Sequence, residues 1–177
     1  MERVLARTIV ADPPWRYGSQ SGTPSRGHAR KFYDTMSLDD IARLRVADLA
    51  ADDAHLWLWG VNQILDDAYG IARAWGFEPK TLLTWCKKPN GMGLGGTYSL
   101  TNEHILFCRR GILPALQRID TTWWTWARRS HSAKPEGFLD MVELVSPAPR
   151  LELFARRQRL GWDTWGNEAL PHVELSA

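Results

Sequence analysis

The chain has 177 residues, 44% of them hydrophobic and 24% charged, with a formal net charge of +2. That length predicts a single domain over residues 1–177 and leaves little room for a separate recognition domain. The composition excludes a disordered chain, no apolar run is long enough to span a bilayer, and the first residues lack the apolar core of a signal peptide, so a cytoplasmic protein with no membrane contact is expected.

Residues 7–11 form a short β-branched apolar run that stops at Asp12-Pro13-Pro14, as a buried strand ended by prolines would. Residues 18–29 are rich in Gly, Ser, Thr and Pro and predict a long loop. Ser37 followed by Leu38-Asp39-Asp40 predicts a capped helix running to about residue 50. Residues 55–59 read as a second strand. A helix is then expected from about Asn62 to Trp75, closed by Gly76. Residues 81–86 predict a third strand, 89–96 a glycine-rich loop without the Gly-Lys-Ser/Thr of a phosphate loop, and 104–109 a fourth strand. Residues 122–126 offer a further short strand. Lys134-Pro135-Glu136 opens a helix to about Val145, with Pro135 at the first helical position. Residues 150–155 predict another strand, and 164–166 close the core. Cys86 and Cys108 fall in predicted strands and are expected to be reduced core residues, with no metal site.

Apolar strands alternating with helices predict an α/β fold: a mostly parallel sheet covered by helices on both faces. Ligands in such sheets bind at the carboxyl ends of strands, near a switch point. Asp12-Pro13-Pro14-Trp15 and Phe154-Ala155-Arg156 both occupy such ends.

The net charge alone says little about partners. Basic pairs recur at element ends, however: Lys87-Lys88, Arg109-Arg110, Arg128-Arg129, and Arg156-Arg157 with Arg159. Arg26, Arg30 and Lys31 add a loop cluster. Such cations either neutralise phosphates or are ordinary solvated charge. Ten Trp residues are many for this length; most are expected in the core, and an enzyme that holds a flat base has use for a few.

The tetrapeptide Asp12–Trp15 carries a chemical reading. An aromatic amine is a poor nucleophile because its lone pair is delocalised into the ring. A carboxylate at Asp12 can accept one N–H, with charge assistance, and the Pro13 carbonyl can accept the other. Pro13 and Pro14 fix φ and hold those carbonyls still. Trp15 is expected to stack on the base. The plain alternative is a simple turn.

At these residues the chain resembles the DPPW-type, or MT-A70-like, adenine-N6 methyltransferases. The resemblance extends over Phe32–Ser37, Leu56–Trp59, Trp85 with Lys87, Asn102–His104, Lys134-Pro135, Glu152–Phe154 with Arg156, and Gly166-Asn167. It implies a Rossmann-like class I fold with permuted motif order, in which the catalytic motif comes first and the cofactor motif last. It implies S-adenosyl-L-methionine as cofactor. Lys134 would face the methionine carboxylate and Glu152 the methionine amine; Phe154, Arg156, Gln158, Asn167 and Glu168 would complete the cofactor site. Tyr33, Trp59, Trp85 and Glu103 would shape the acceptor pocket. Independently of the resemblance, the basic loop residues Arg26, Arg30 and Lys31 are candidates for substrate contact. Gln158-Arg159 departs from the His-Asn pair of the eukaryotic mRNA enzyme. DNA is the expected substrate, RNA the alternative. A silent nucleic-acid-binding partner of another methyltransferase would be expected to lose Asp12 or the aromatic. The short chain leaves room for a homodimer or a heterodimer.

Overall fold

A computed structural model of the protein describes residues 4–16, 35–87, 97–127, 133–166 and 175. Seven strands are found among them: β1 (Ala6–Ala11), β2 (Ala50–Gly60), β3 (Glu78–Cys86), β4 (Asn102–Arg110), β5 (Trp123–Trp124), β6 (Arg150–Leu153) and β7 (Trp162–Trp165). They form one sheet in the order β5-β3-β4-β2-β1-β6-β7. β1 pairs in parallel with both β2 and β6, β6 with β7, and β3 with β5. β4 is antiparallel to both of its neighbours, β2 and β3. Six strands therefore share a direction and β4 opposes them. β4 follows β3 in sequence and returns beside it in reverse.

This topology gathers the site at one edge of the sheet. The carboxyl ends of β1, β2, β3 and β6 lie there, and so does the amino end of β4, because β4 is reversed. β1 sits between β2 and β6, so the chain leaves it in both directions, the switch-point condition for a ligand crevice.

Two helical layers cover the sheet, as the alternation of elements predicted. Ile9, Ala11, Leu56, Leu58, Leu106, Cys108, Leu151 and Leu153 face α1 (Leu38–Arg43) and α2 (Leu65–Ala74). Val10, Trp57, Trp59, Leu83, Trp85, Ile105 and Phe107 face α3 (Glu136–Val145). Strand residues point alternately to the two faces, so parity assigns each side chain its layer. Trp57 and Trp59 thus share the α3 face.

Ser37 caps α1 by accepting the Asp40 N–H at 3.1 Å, as its sequence predicts. The helix does not reach residue 50. It ends at Arg43, and Val46–Leu49 form a 3₁₀ turn leading straight into β2. On an unbroken helix Val46 would lie about 200° around from Leu44. Breaking the helix lets Leu44, Val46 and Leu49 all bury in one core. α2 is preceded by a 3₁₀ turn at Asn62–Ile64 and closes at Gly76, whose φ of 81° suits glycine. Pro135 is the residue before α3 rather than its first turn, with φ −65° and ψ 142°. Cys108 is buried in the core and Cys86 partly buried, both with free thiols. No helix among the described residues is long and apolar enough to cross a membrane.

Candidate active site

Parity places Asp12, Trp59, Trp85, Lys87, Glu103 and Glu152 on the α3 side of the sheet edge, and α3 begins two residues after Lys134. The result is a chain of alternating charges. Lys134 Nζ lies 2.8 Å from Glu103 Oε2 and 3.2 Å from Asp12 Oδ1. Lys87 Nζ lies 2.5 Å from Glu103 Oε1. The two ammonium groups rest on aromatic faces: Lys134 Nζ is 4.5 Å from the centre of Trp59 and Lys87 Nζ 5.4 Å from that of Trp85. The indoles of Trp59 and Trp85 meet edge to face at 6.0 Å.

Each charge is flanked by its opposite, which offsets part of the cost of burying it. Burial opposes the charge on Lys134, but Asp12 and Glu103 outweigh it and hold its pKa above the ordinary lysine value. Burial likewise works against the Glu103 carboxylate, and Lys134 and Lys87 overcome it, so its pKa is lowered. Asp12 differs. Burial lifts its pKa, Lys134 offsets only part of that, and the nearby Glu103 adds to it. Asp12 is therefore a carboxylate readier than usual to accept a proton.

The tetrapeptide is locked by its own backbone. The Trp15 N–H donates to the Pro13 carbonyl at 2.8 Å, and the Met36 N–H donates to the Pro14 carbonyl at 3.0 Å. The Pro13 oxygen keeps a second lone pair. Trp15 departs from expectation. Its side chain is only 3% exposed, packs with the α1/α2 layer, and donates its indole N–H to the Trp59 carbonyl at 3.1 Å. A ring so enclosed does not offer a face for stacking on a base. It anchors the turn after β1 to the end of β2.

Glu152 lies on β6 opposite Val10 of β1. Its Oε2 atom is buried and has no hydrogen-bond partner among the described residues. Burial pushes its carboxyl up to about 7; Arg157 partly offsets this and Asp12 reinforces it. A buried acceptor without a donor is costly unless something supplies one. The amine of an amino acid would, so the residues present fit the methionine end of the expected cofactor.

Beyond Glu152 the chain turns sharply. Phe154 has φ 61°, an uncommon conformation for a non-glycine residue, and its ring meets Trp165 edge to face at 5.2 Å. The Ala155 N–H donates to the Trp165 carbonyl at 3.0 Å. A Cβ on Gly166 would come within 2.5 Å of Ala155 backbone atoms, so glycine is needed there. Arg156 lies within electrostatic reach of Asp12, and Gln158 is exposed on the segment between β6 and β7.

The structure thus assembles Asp12, Glu103, Lys134, Trp59 and Trp85 in one contact set, with Glu152 and Arg156 in electrostatic reach of it. Lys134 is engaged by Asp12 and Glu103, so of its three donors only one remains for an incoming carboxylate. Tyr33, Arg26, Arg30, Lys31, Asn167 and Glu168 lie outside the described residues. Lys87 joins the site as well, because its position two after Trp85 puts it on the same face. Trp126 is a further residue of the site that no local sequence signal marks. It accepts the Trp85 indole N–H on its carbonyl at 2.8 Å and lies so close to Gly137 that a Cβ there would meet its ring at 2.7 Å. Among the described residues, three cations of the basic clusters are engaged within the fold. Arg157 pairs with Glu136, and Arg159 with Asp140 and Glu143, on α3. Arg110 donates to the Ala47 carbonyl. These three are structural cations rather than phosphate contacts.

Residues 6–168 match the MT-A70 family. The chain belongs to that family. It is an adenine-N6 methyltransferase, as its resemblance implied. Type II methyltransferase M.MunI of Mycoplasma sp is 31% identical over 95% of this chain and 79% of its own length. The N6-methyladenosine RNA methyltransferase MTA1 of Cryphonectria parasitica is 29% identical over 92% of this chain, which spans 51% of it. The N(6)-adenosine-methyltransferase catalytic subunit METTL3 of Homo sapiens is 29% identical over 90% of this chain, which spans only 27% of that protein.

Proposed function

We propose that this MT-A70 enzyme uses S-adenosyl-L-methionine to methylate N6 of adenine in DNA. The observation that carries the mechanism is the tethering of Asp12 through Oδ1 by Lys134. That leaves Oδ2 as the acceptor for one amine hydrogen, and the second lone pair of the Pro13 carbonyl for the other. Drawing on both N–H groups localises the nitrogen lone pair and aims it at the methyl donor. When bound, the cofactor supplies a methyl group on a sulfonium. As the N–C bond forms, the S–C bond of the sulfonium would break with its electron pair leaving on sulfur, and the nitrogen would shed a proton to Asp12 or to water. The raised pKa of Asp12 suits it to that proton. Trp15 contributes by holding the tetrapeptide on β2.

Glu152 accepts hydrogen bonds from the cofactor amine in this reading, and the remaining Lys134 donor meets its carboxylate. Phe154, Arg156, Gln158, Asn167 and Glu168 serve the nucleoside end. Trp59, Trp85, Glu103 and Tyr33 bound the acceptor pocket, and Arg26, Arg30 and Lys31 contact the polymer. A duplex adenine would have to be flipped out to reach Asp12. Similarity to a type II methyltransferase across most of both chains favours DNA. The likeness to RNA adenosine methyltransferases keeps RNA as the second reading. The test is transfer of labelled methyl to matched DNA and RNA, single- and double-stranded, followed by digestion to nucleosides. Label in N6-methyldeoxyadenosine is expected. Label only in N6-methyladenosine from RNA would replace DNA by RNA.

A further inference from the structure

The segment between β6 and β7 is bound to α3 by a set of contacts that the catalytic reading leaves unused. Glu136, Asp140 and Glu143 lie on one stripe of α3, within about 60° of arc. Arg159 reaches all three: Nε to Glu143 Oε1 at 2.8 Å, Nη2 to Asp140 Oδ1 at 2.6 Å, and Nη1 to Glu136 Oε2 at 3.7 Å. Arg157 pairs with Glu136 through its two terminal guanidinium nitrogens. Trp162, at the start of β7, donates to the same Glu143 oxygen at 2.7 Å. The Arg159 side chain is only 22% exposed, so its fork is not a loose surface charge. The segment is also pinned at both ends, by the left-handed backbone of Phe154 and of Gly161.

What this set joins gives it meaning. α3 follows directly on Lys134, which in our reading meets the carboxylate of the cofactor. The tied segment carries Arg156 and Gln158, which in that reading serve the nucleoside. We propose that Arg159 is a positioning residue that clamps the β6–β7 segment to α3 and so fixes the span between the two ends of the cofactor site. This inference rests on the cofactor reading above. The Arg159 side chain turns away to α3 and acts through the segment it holds.

A clamp and a direct contact predict different losses. A ligand that reaches both ends needs the span; a ligand that occupies only the nucleoside end does not. Titration calorimetry of the full chain with S-adenosylhomocysteine and with methylthioadenosine, which lacks the amino-acid end, separates them. Arg159→Met should weaken S-adenosylhomocysteine by about tenfold and methylthioadenosine by less than about twofold, the signature of lost preorganisation. Its kcat at saturating cofactor should stay within about twofold while KM for the cofactor rises. If Arg159→Met folds poorly, Asp140→Asn removes one exposed arm of the clamp and should shift the same ratio in the same direction, by less. Equal losses for the two ligands would make Arg159 a direct contact and overturn the clamp. So would unchanged S-adenosylhomocysteine affinity in both variants. Wild-type protein that binds neither ligand would instead refute the cofactor reading, and this inference with it.

Discussion

Replacing Glu152 by glutamine should make the cofactor-free protein more stable and its cofactor site weaker. The carboxyl is lifted from the ordinary 4.5 to about 7 by burial, and its Oε2 has no hydrogen-bond partner among the described residues. A pKa raised on folding means that the native state binds the extra proton between those two values. Stability is then fully present below about 4.5, declines as pH rises, and is at its lowest above about 7. The shift of about 2.5 units corresponds to roughly 3 kcal/mol, most of which develops between pH 5 and 8. Glutamine fills the same space without the charge. Its advantage should be slight at pH 5 and approach that figure at pH 8, a rise of roughly 6–12 °C in melting temperature for a chain of this length. Thermal melts of both proteins across that range measure it. Added S-adenosylhomocysteine should raise the melting point of wild type far more than that of the variant, since the amine loses its carboxylate. Parallel stability profiles at every pH would refute the reasoning, as would equal ligand shifts.

Other outcomes follow from the packing. Trp15→Phe keeps the ring and loses the bond to the Trp59 carbonyl, so it should cost about 1 kcal/mol, whereas Trp15→Ala should cost roughly 3–5 kcal/mol; urea titration decides, and a stability-neutral Trp15→Ala would contradict the anchor. His55 is fully buried, with Nε2 donating to the Leu113 carbonyl at 3.0 Å and Nδ1 accepting from Ser146 at 2.7 Å, while Trp57 donates to the same Ser146 oxygen. Burial lowers its pKa, so the imidazole should protonate less readily than a free one, and stability from this group should fall as pH drops below about 6.5; histidine NMR titration checks it, and a normal titration midpoint would contradict it. Arg26→Ala, Arg30→Ala and Lys31→Ala together should weaken polymer binding and reduce its salt slope by roughly 2–3; an unchanged slope would remove these residues from the interface.

Much of the site was legible because its signals are local. A proline-ended apolar run marks β1 and leaves Asp12 at a strand end. Helix and strand periodicity gives two layers, and a glycine at 76 closes α2 where expected. What was not legible depends on where side chains go after leaving their own element. Trp15 reads as an open aromatic until Trp59 supplies a carbonyl for it. Arg157 and Arg159 read as a basic cluster until α3 presents three acids on one stripe. The reversal of β4 has no local signal in its own apolar run, and without it Glu103 would lie at the far edge of the sheet. The early end of α1 likewise reflects the demand that Leu44 and Val46 bury on the same side.

The central claim is that Asp12 is the group that accepts the amine of adenine at the carboxyl end of β1. The direct measurement is the rate of N6-methyladenine formation by wild type and Asp12→Ala under saturating cofactor, with S-adenosylhomocysteine affinity measured on the same preparations. The account predicts that the rate falls at least about 100-fold while ligand affinity changes by less than about threefold. Methylation that persists near the wild-type rate in Asp12→Ala would contradict it.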